Sequence, residues 1–291
     1  MRWDEGHESP DVIDRRGQGA GGGGGLGGGL LALLPFLMRS RGGRIIALLL
    51  LGFLVLSSLF GGLRRSLTGE TGAHPGTQGT DEQMHFVSFV LDDAQNTWRD
   101  IFARNGATYR NAKLVLFTDA TNTACGYGQA ATGPFYCPVD ERVYIDLGFY
   151  DELARRFGAK GDFAQAYVVA HELGHHVQNQ LGITKRVEGL RRADQTGAES
   201  ASVRLELQAD CFAGIWAHST EQRQLLERGD IDEAIGAASA VGDDRIQRKS
   251  SGRVNPETFT HGTAEQRARW FKRGYDSGQV GACDTFGSDV L

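Results

Sequence analysis

A chain of 291 residues with 40% apolar content can bury a full-sized core and hold one large domain or two small ones. Its net charge of -5 gives no basic excess, which excludes nucleic acid as an electrostatically attracted partner. The four cysteines, Cys125, Cys137, Cys211 and Cys283, include no C-x-x-C pair, so they point to disulfides or buried thiols and away from a zinc ribbon.

Residues 1–43 read as a flexible, disordered tail. Met1 to Arg16 is polar with mixed charge, and Gly17 to Gly29 is almost pure glycine, which cannot bury a core. Leu30 to Met38 is apolar but broken by Pro35 and far too short for a bilayer. Residues 44–64 differ: Ile45 to Leu63 supplies about 20 mostly apolar residues, enough at 1.5 Å each to span a hydrocarbon core of roughly 30 Å, so one transmembrane helix is expected here. A cleaved signal peptide is the competing reading, but the region before it is too long and no A-x-A site follows. Arg39, Arg41 and Arg44 precede the span, Arg64 and Arg65 follow it, and all four cysteines lie beyond it. The expectation is therefore a single-pass anchor with a cytoplasmic N-terminus and the remainder on the oxidising, periplasmic or extracellular side. Residues 65–80 form a Gly/Thr/Pro linker, and residues 81–287 the folded domain.

Thr80 and Gln83 make a capping box for a helix carrying Phe86, Val90, Ala94, Trp98, Ile101 and Phe102 inward; Asp92 and Asp93 read as its solvated edge. Lys113–Phe117 and Arg142–Asp146 alternate as strands. Between them, a Cys125–Cys137 disulfide would close a glycine-rich loop and stabilise it by about 3 kcal/mol. Two unpaired thiols are the alternative. Such a strand and loop could offer a rim to an extended peptide by strand addition.

Asp162 reads as the N-cap and Gly182 as the stop of a helix over Phe163–Leu181. On it Ala164, Val168, His171, His175 and Gln178 share a face, with His176 on another as a structural or surface residue. Two imidazoles at i and i+4 can share one metal, and Glu172 beside them can reach a water on it, as in the H-E-x-x-H metallopeptidases. Zinc needs a third protein ligand and an open position; Glu188, Glu199, Glu206, Asp210, His218 and His261 are the downstream candidates. Ser202–Ala217 is apolar nearly all round as a helix, and two carboxylates buried there need compensating charge. Glu206 is therefore assigned as third ligand, and Asp210 as acceptor of the other ring N–H of a ligating histidine. A salt bridge from Asp210 to an arginine such as Arg245 or Arg267 is the competing reading. Gly214 would let the two helices approach closely.

Two segments carry a family resemblance: His171-Glu172-Leu173-Gly174-His175-His176-Val177-Gln178 and Leu205-Glu206-Leu207-Gln208-Ala209-Asp210-Cys211. With Gly133-Pro134-Phe135-Tyr136-Cys137-Pro138, they make Asp81 to Phe286 resemble the bacterial "putative neutral zinc metallopeptidase" family of YpfJ type. The helix pair is also similar to the HtpX and CAAX-prenyl peptidases, where the first glutamate of E-x-x-A-D binds zinc. The resemblance implies an α+β, mainly helical, gluzincin-like domain with a small sheet, a membrane anchor, and Zn2+ as cofactor. It supports Glu206 and brings no substrate.

Asp230 and Glu233 cap a run through Ile246, and Thr263 with Gln266 caps another carrying Trp270 and Phe271 to a stop near Gly278. Phe259-Thr260-His261-Gly262-Thr263 resembles the threonine–histidine segment of HtpX-type peptidases, which implies a His261 donor to the oxyanion; an ordinary loop histidine is the alternative. Cys283 is the natural partner of Cys211, although four cysteines allow three pairings and Cys211 could be free. The function expected is peptide-bond hydrolysis of a polypeptide substrate. The rival is a non-catalytic, zinc-stabilised scaffold binding envelope partners.

Overall fold

The computed structural model describes residues 1–17, 77–129, 132–158, 161–190, 194 and 196–291. The glycine run, the expected membrane helix 44–64 and the linker up to residue 76 lie outside the described residues. Among the described residues no helix is long and apolar enough to cross a membrane. The fold is mixed α+β and mainly helical. In chain order the elements are β1 (Val12–Asp14), α1 (Thr77–Arg104), β2 (Lys113–Phe117), β3 (Ala120–Thr123), β4 (Gly126–Gln129), β5 (Phe135–Cys137) and β6 (Arg142–Asp146). Helices follow: α2 (Gly148–Phe157), α3 (Asp162–Gln180), α4 (Ile183–Glu188), α5 (Ala201–Gln222), α6 (Asp230–Ala240), α7 (Asp243–Ser251) and α8 (Ala264–Ser277).

The two strands read from alternation pair in parallel, Leu114 opposite Val143 and Leu116 opposite Ile145. Because side chains alternate across a strand, these four face one cluster with α1 and α3 residues such as Phe86, Leu91, Phe163 and Leu173. Val115, Phe117 and Tyr144 face the other side, with Cys137. Strand β5 runs antiparallel to β6 and forms one edge of a four-stranded sheet of order β1-β2-β6-β5. A second cluster joins Trp98, Val177, Leu207, Phe212 and Trp270 around α5 and α8.

Strand β1 is the main departure from expectation. Met1 to Arg16, read as the start of a disordered tail, packs on the domain: Val12, Ile13 and Asp14 pair in parallel with Leu114, Val115 and Leu116. A three-residue strand carries no periodic signal, and its partners are distant in sequence. Several of the segment's polar side chains are instead matched on α1. His7 Nε2 lies 2.9 Å and Ser9 Oγ 2.7 Å from the Asp92 carboxylate. Neither aspartate of α1 is a solvated edge, since buried Asp93 accepts from Trp216 Nε1 at 2.7 Å and from Arg223 Nη2 at 2.8 Å.

Three helix boundaries shift for local reasons. Helix α1 begins at Thr77, ahead of Thr80. Asp162 is the first helical residue rather than the N-cap; its carboxylate accepts from the Met1 ammonium, and the Phe163 N–H is capped by Glu233 Oε2 at 3.2 Å. The run from Asp230 to Ile246 is two helices, broken at Gly242, where the chain passes tightly against the Ala264 backbone. The Thr263/Gln266 capping box, the left-handed Gly182 at the end of α3 and Gly278 at the end of α8 are as expected. Both disulfides, Cys125–Cys137 and Cys211–Cys283, are formed.

Gly214 serves a different contact from the expected one. A Cβ there would strike the Phe271 carbonyl oxygen, and one on Gly274 the Cys211 carbonyl oxygen, so this glycine pair lets α5 and α8 touch backbone to backbone. Alanine at either position should lower stability by about 1–3 kcal/mol through overpacking, against the roughly 1 kcal/mol that its helix propensity would add. Thermal unfolding of the two variants reads the sign, and a raised Tm would refute the close crossing.

Candidate metal centre

Nineteen residues of α3, stopped by left-handed Gly182, place His171 and His175 one turn apart with ring centroids 4.8 Å from each other. Helix α5 reaches them because Gly174 has no side chain: a Cβ there would lie 2.9 Å from the Ala209 carbonyl oxygen. This close approach brings Glu206 over the pair, with Oε2 3.2 Å from His171 Nε2 and Oε1 3.4 Å from His175 Nε2. One ligand atom from each of the three falls within 4.8 Å of the others. Ligands on a tetrahedral zinc at 2.0–2.1 Å are spaced about 3.3–3.4 Å apart, so this donor set fits the ion while leaving a fourth position. Glu188, Glu199 and His218 belong to no such group among the described residues.

Each ring's other nitrogen is also engaged. His171 Nδ1 lies 2.8 Å from Asp210 Oδ1, and His175 Nδ1 lies 2.9 Å from Gln178 Oε1. Both contacts turn Nε2 toward Glu206, which is how outer partners set a metal-binding tautomer. Gln178 is in turn held by donating to the Leu205 carbonyl at 2.7 Å.

The two readings of Asp210 hold at once. Besides His171, its carboxylate accepts from Arg267 Nε at 2.8 Å and Nη2 at 3.0 Å, and from the Tyr167 hydroxyl at 2.5 Å. Arg245 is not involved; it is exposed on α7. Burial alone would raise Asp210, but Arg267 and His171 outweigh it and hold the carboxyl below its usual range. Glu206 is likewise pushed up by burial and pulled well below the carboxylate range by His175 and His171. For His171, burial acts downward, yet Asp210 and Glu206 raise the imidazole to about 10. Glu172 lies outside the three-residue donor group and lines the same cavity, where burial raises its carboxyl against the opposing pull of His175 and His171.

The cavity has a volume of about 650 Å³ and is walled by the donor group, by Gly133–Tyr136 on one side, and by Val241, Ile246 and His261. His261 therefore stands at the site. Asp243, which the sequence did not single out, fixes its loop: Oδ2 accepts the backbone N–H of Thr260, His261 and Gly262 at 2.8, 2.7 and 3.1 Å, and Oδ1 lies 3.1 Å from His261 Nδ1. That contact raises the His261 pKa and leaves Nε2 as the ring's other polar atom. His176 is a buried tie rather than a surface residue. Its Nε2–H donates to the Arg110 carbonyl at 2.6 Å and its Nδ1 accepts from the Tyr136 hydroxyl at 2.9 Å, fastening edge strand β5 to the histidine helix.

The sequence profile of the family described as "Putative neutral zinc metallopeptidase" matches residues 1–286. The chain belongs to this family. Its relatives include the uncharacterized protein YpfJ of Escherichia coli K12, 46% identical over the full length of both chains. The uncharacterized protein Mb2605 of Mycobacterium bovis is 48% identical over 63% of this chain and 65% of its own. No solved structure matches. Membership in this zinc peptidase family implies Zn2+ as cofactor.

Proposed function

We propose that the chain is a zinc-dependent endopeptidase, anchored to a membrane through residues 44–64, with His171, His175 and Glu206 as zinc ligands and polypeptide as substrate. The observation that carries this reading is the convergence of two Nε2 atoms and one carboxylate at 3.2–3.4 Å, each imidazole being steered by a partner on Nδ1.

Zinc held there supplies a Lewis acid and lowers the pKa of a bound water to about 7. Glu172, buried in the cavity wall beside the donor group, accepts the proton of the attacking water and delivers it to the leaving amine. His261, held by Asp243, turns Nε2–H toward the oxygen that gains charge in the tetrahedral intermediate. Asp210 and Gln178 keep the two ligating rings in register. Edge strand β5, whose Phe135 and Tyr136 line the cavity, offers backbone groups to an extended peptide.

Zinc analysis of the purified protein should give one ion per chain, and Glu206→Ala should lose most of it. The same preparations incubated with an unfolded polypeptide should cleave it only when Glu206 is present and chelator is absent. A Glu206→Ala variant that keeps full zinc would remove Glu206 from the ligand set. A zinc-loaded wild type without activity toward any polypeptide would favour the scaffold reading.

A further inference from the structure

Residues 1–17 are built into the domain along their whole length. Trp3 packs edge-on against Phe86 at 5.2 Å, His7 and Ser9 meet Asp92, and Asp11 receives Asn111 Nδ2 at 2.6 Å and Gln95 Nε2 at 3.2 Å. Strand β1 then covers the free edge of β2. The Leu114 N–H donates to the Asp11 carbonyl at 2.9 Å, and the Arg15 N–H to the Leu116 carbonyl at 2.8 Å. Leu114, Val115 and Leu116 are fully buried with β1 in place; without it the Leu114 N–H and the Leu116 carbonyl would form an open, unpaired sheet edge beside uncovered apolar side chains. The ammonium of Met1 is itself buried and lies 2.8 Å from Asp162 and 3.3 Å from Asp230, tying this segment to the first residue of the histidine helix. The family match also takes in these residues, beginning at residue 1.

From this pairing we infer that the N-terminal segment and the active site occupy the same side of the membrane. A chain whose two ends dock on one folded unit crosses any membrane an even number of times. The placement drawn from charge and cysteine distribution, with the N-terminus on one side and the domain on the other, requires a single crossing and leaves β2 without β1. Docking of β1 on β2 outweighs the charge argument of three arginines against two, while the cysteines, all of which lie in the domain, bear only on which side the domain occupies. The inference builds on the reading of residues 44–64 as a membrane anchor, and its test separates the two.

All four native cysteines are in disulfides, so an introduced cysteine is the sole free thiol. Exposed Glu8 and exposed Arg253 report on the two parts of the chain. Full-length Glu8→Cys and Arg253→Cys proteins in sealed cells or vesicles should react with a membrane-impermeant maleimide together, or both only after permeabilisation. Labelling of one in intact vesicles and of the other only after opening overturns the inference. Release of the protein by alkaline carbonate would remove the anchor reading and leave the shared side standing. As an independent readout, the Leu114 amide of the detergent-solubilised full chain should be strongly protected from hydrogen exchange, and lose that protection when residues 2–17 are deleted. Rapid Leu114 exchange in the full chain would mean that β1 does not dock and would overturn the inference as well.

Discussion

Glu172→Gln is expected to lower kcat by about 10²–10⁴-fold, the usual contribution of a positioned general base, while zinc content stays at the wild-type level. Glutamine has nearly the same shape, so the packing of α3 against its neighbours is kept, and the three donor atoms of His171, His175 and Glu206 are untouched. What is lost is a group able to hold a proton in the cavity. Burial raises the Glu172 carboxyl, and a zinc ion beside it would pull it back, so the acid limb of the wild-type rate profile should belong to this carboxyl. Activity is then present at higher pH and falls as pH drops through its pKa. In the glutamine variant this limb should vanish from the residual rate. Kinetics on an unfolded polypeptide with zinc measured in the same samples decide the matter. Full turnover would remove Glu172 from the mechanism, and lost zinc would make it part of the metal's support instead.

The parts of the site that the sequence made legible are those whose logic is local or electrostatic. His171 and His175 are one turn apart on a helix with a clear stop, and a helix fixes their spacing without help from the rest of the fold. Glu206 and Asp210 stand out because carboxylates among apolar residues demand a countercharge, although the sequence could not tell whether Asp210 answers to a histidine or to an arginine. The structure gives it both. Gln178 was within reach, three residues after His175 on the same face, but its hold on Leu205 is visible only once α5 is in place. Asp243 carried no signal, since the break at Gly242 depends on the Ala264 backbone and its task depends on a loop closed from elsewhere in the chain. The same holds for β1. Its residues find their partners on α1 and β2, across a long separation in sequence, and composition beside a glycine run pointed the other way.

Asp210 separates stability from metal affinity. With its carboxylate at 0% exposure and Arg267 at 3%, replacing Asp210 by alanine leaves a guanidinium buried without its bidentate partner, at an expected cost of about 3–5 kcal/mol. His171 loses its Nδ1 acceptor at the same time, which should weaken zinc binding by about 10–100-fold. The two effects have different origins, so a second substitution pulls them apart. In Asp210→Leu/Arg267→Met both charges are gone and much of the volume is kept; stability should return most of the way, as it does when a buried pair is replaced whole. Zinc affinity should remain low, because leucine cannot accept from His171. Denaturant unfolding and competitive zinc titration on the single and double variants measure the two quantities independently. The acid dependence carries its own sign. Asp210 is depressed in the folded chain, so its stabilisation is complete above the ordinary aspartate value of about 3.9 and is lost only as pH falls below it toward the folded value. The double variant should lack that component of the acid unfolding. Were it to recover zinc affinity together with stability, Asp210 would act on Arg267 alone, and the orientation of His171 would have to be credited to the packing of Tyr167, whose ring centroid lies 5.9 Å from that of the histidine.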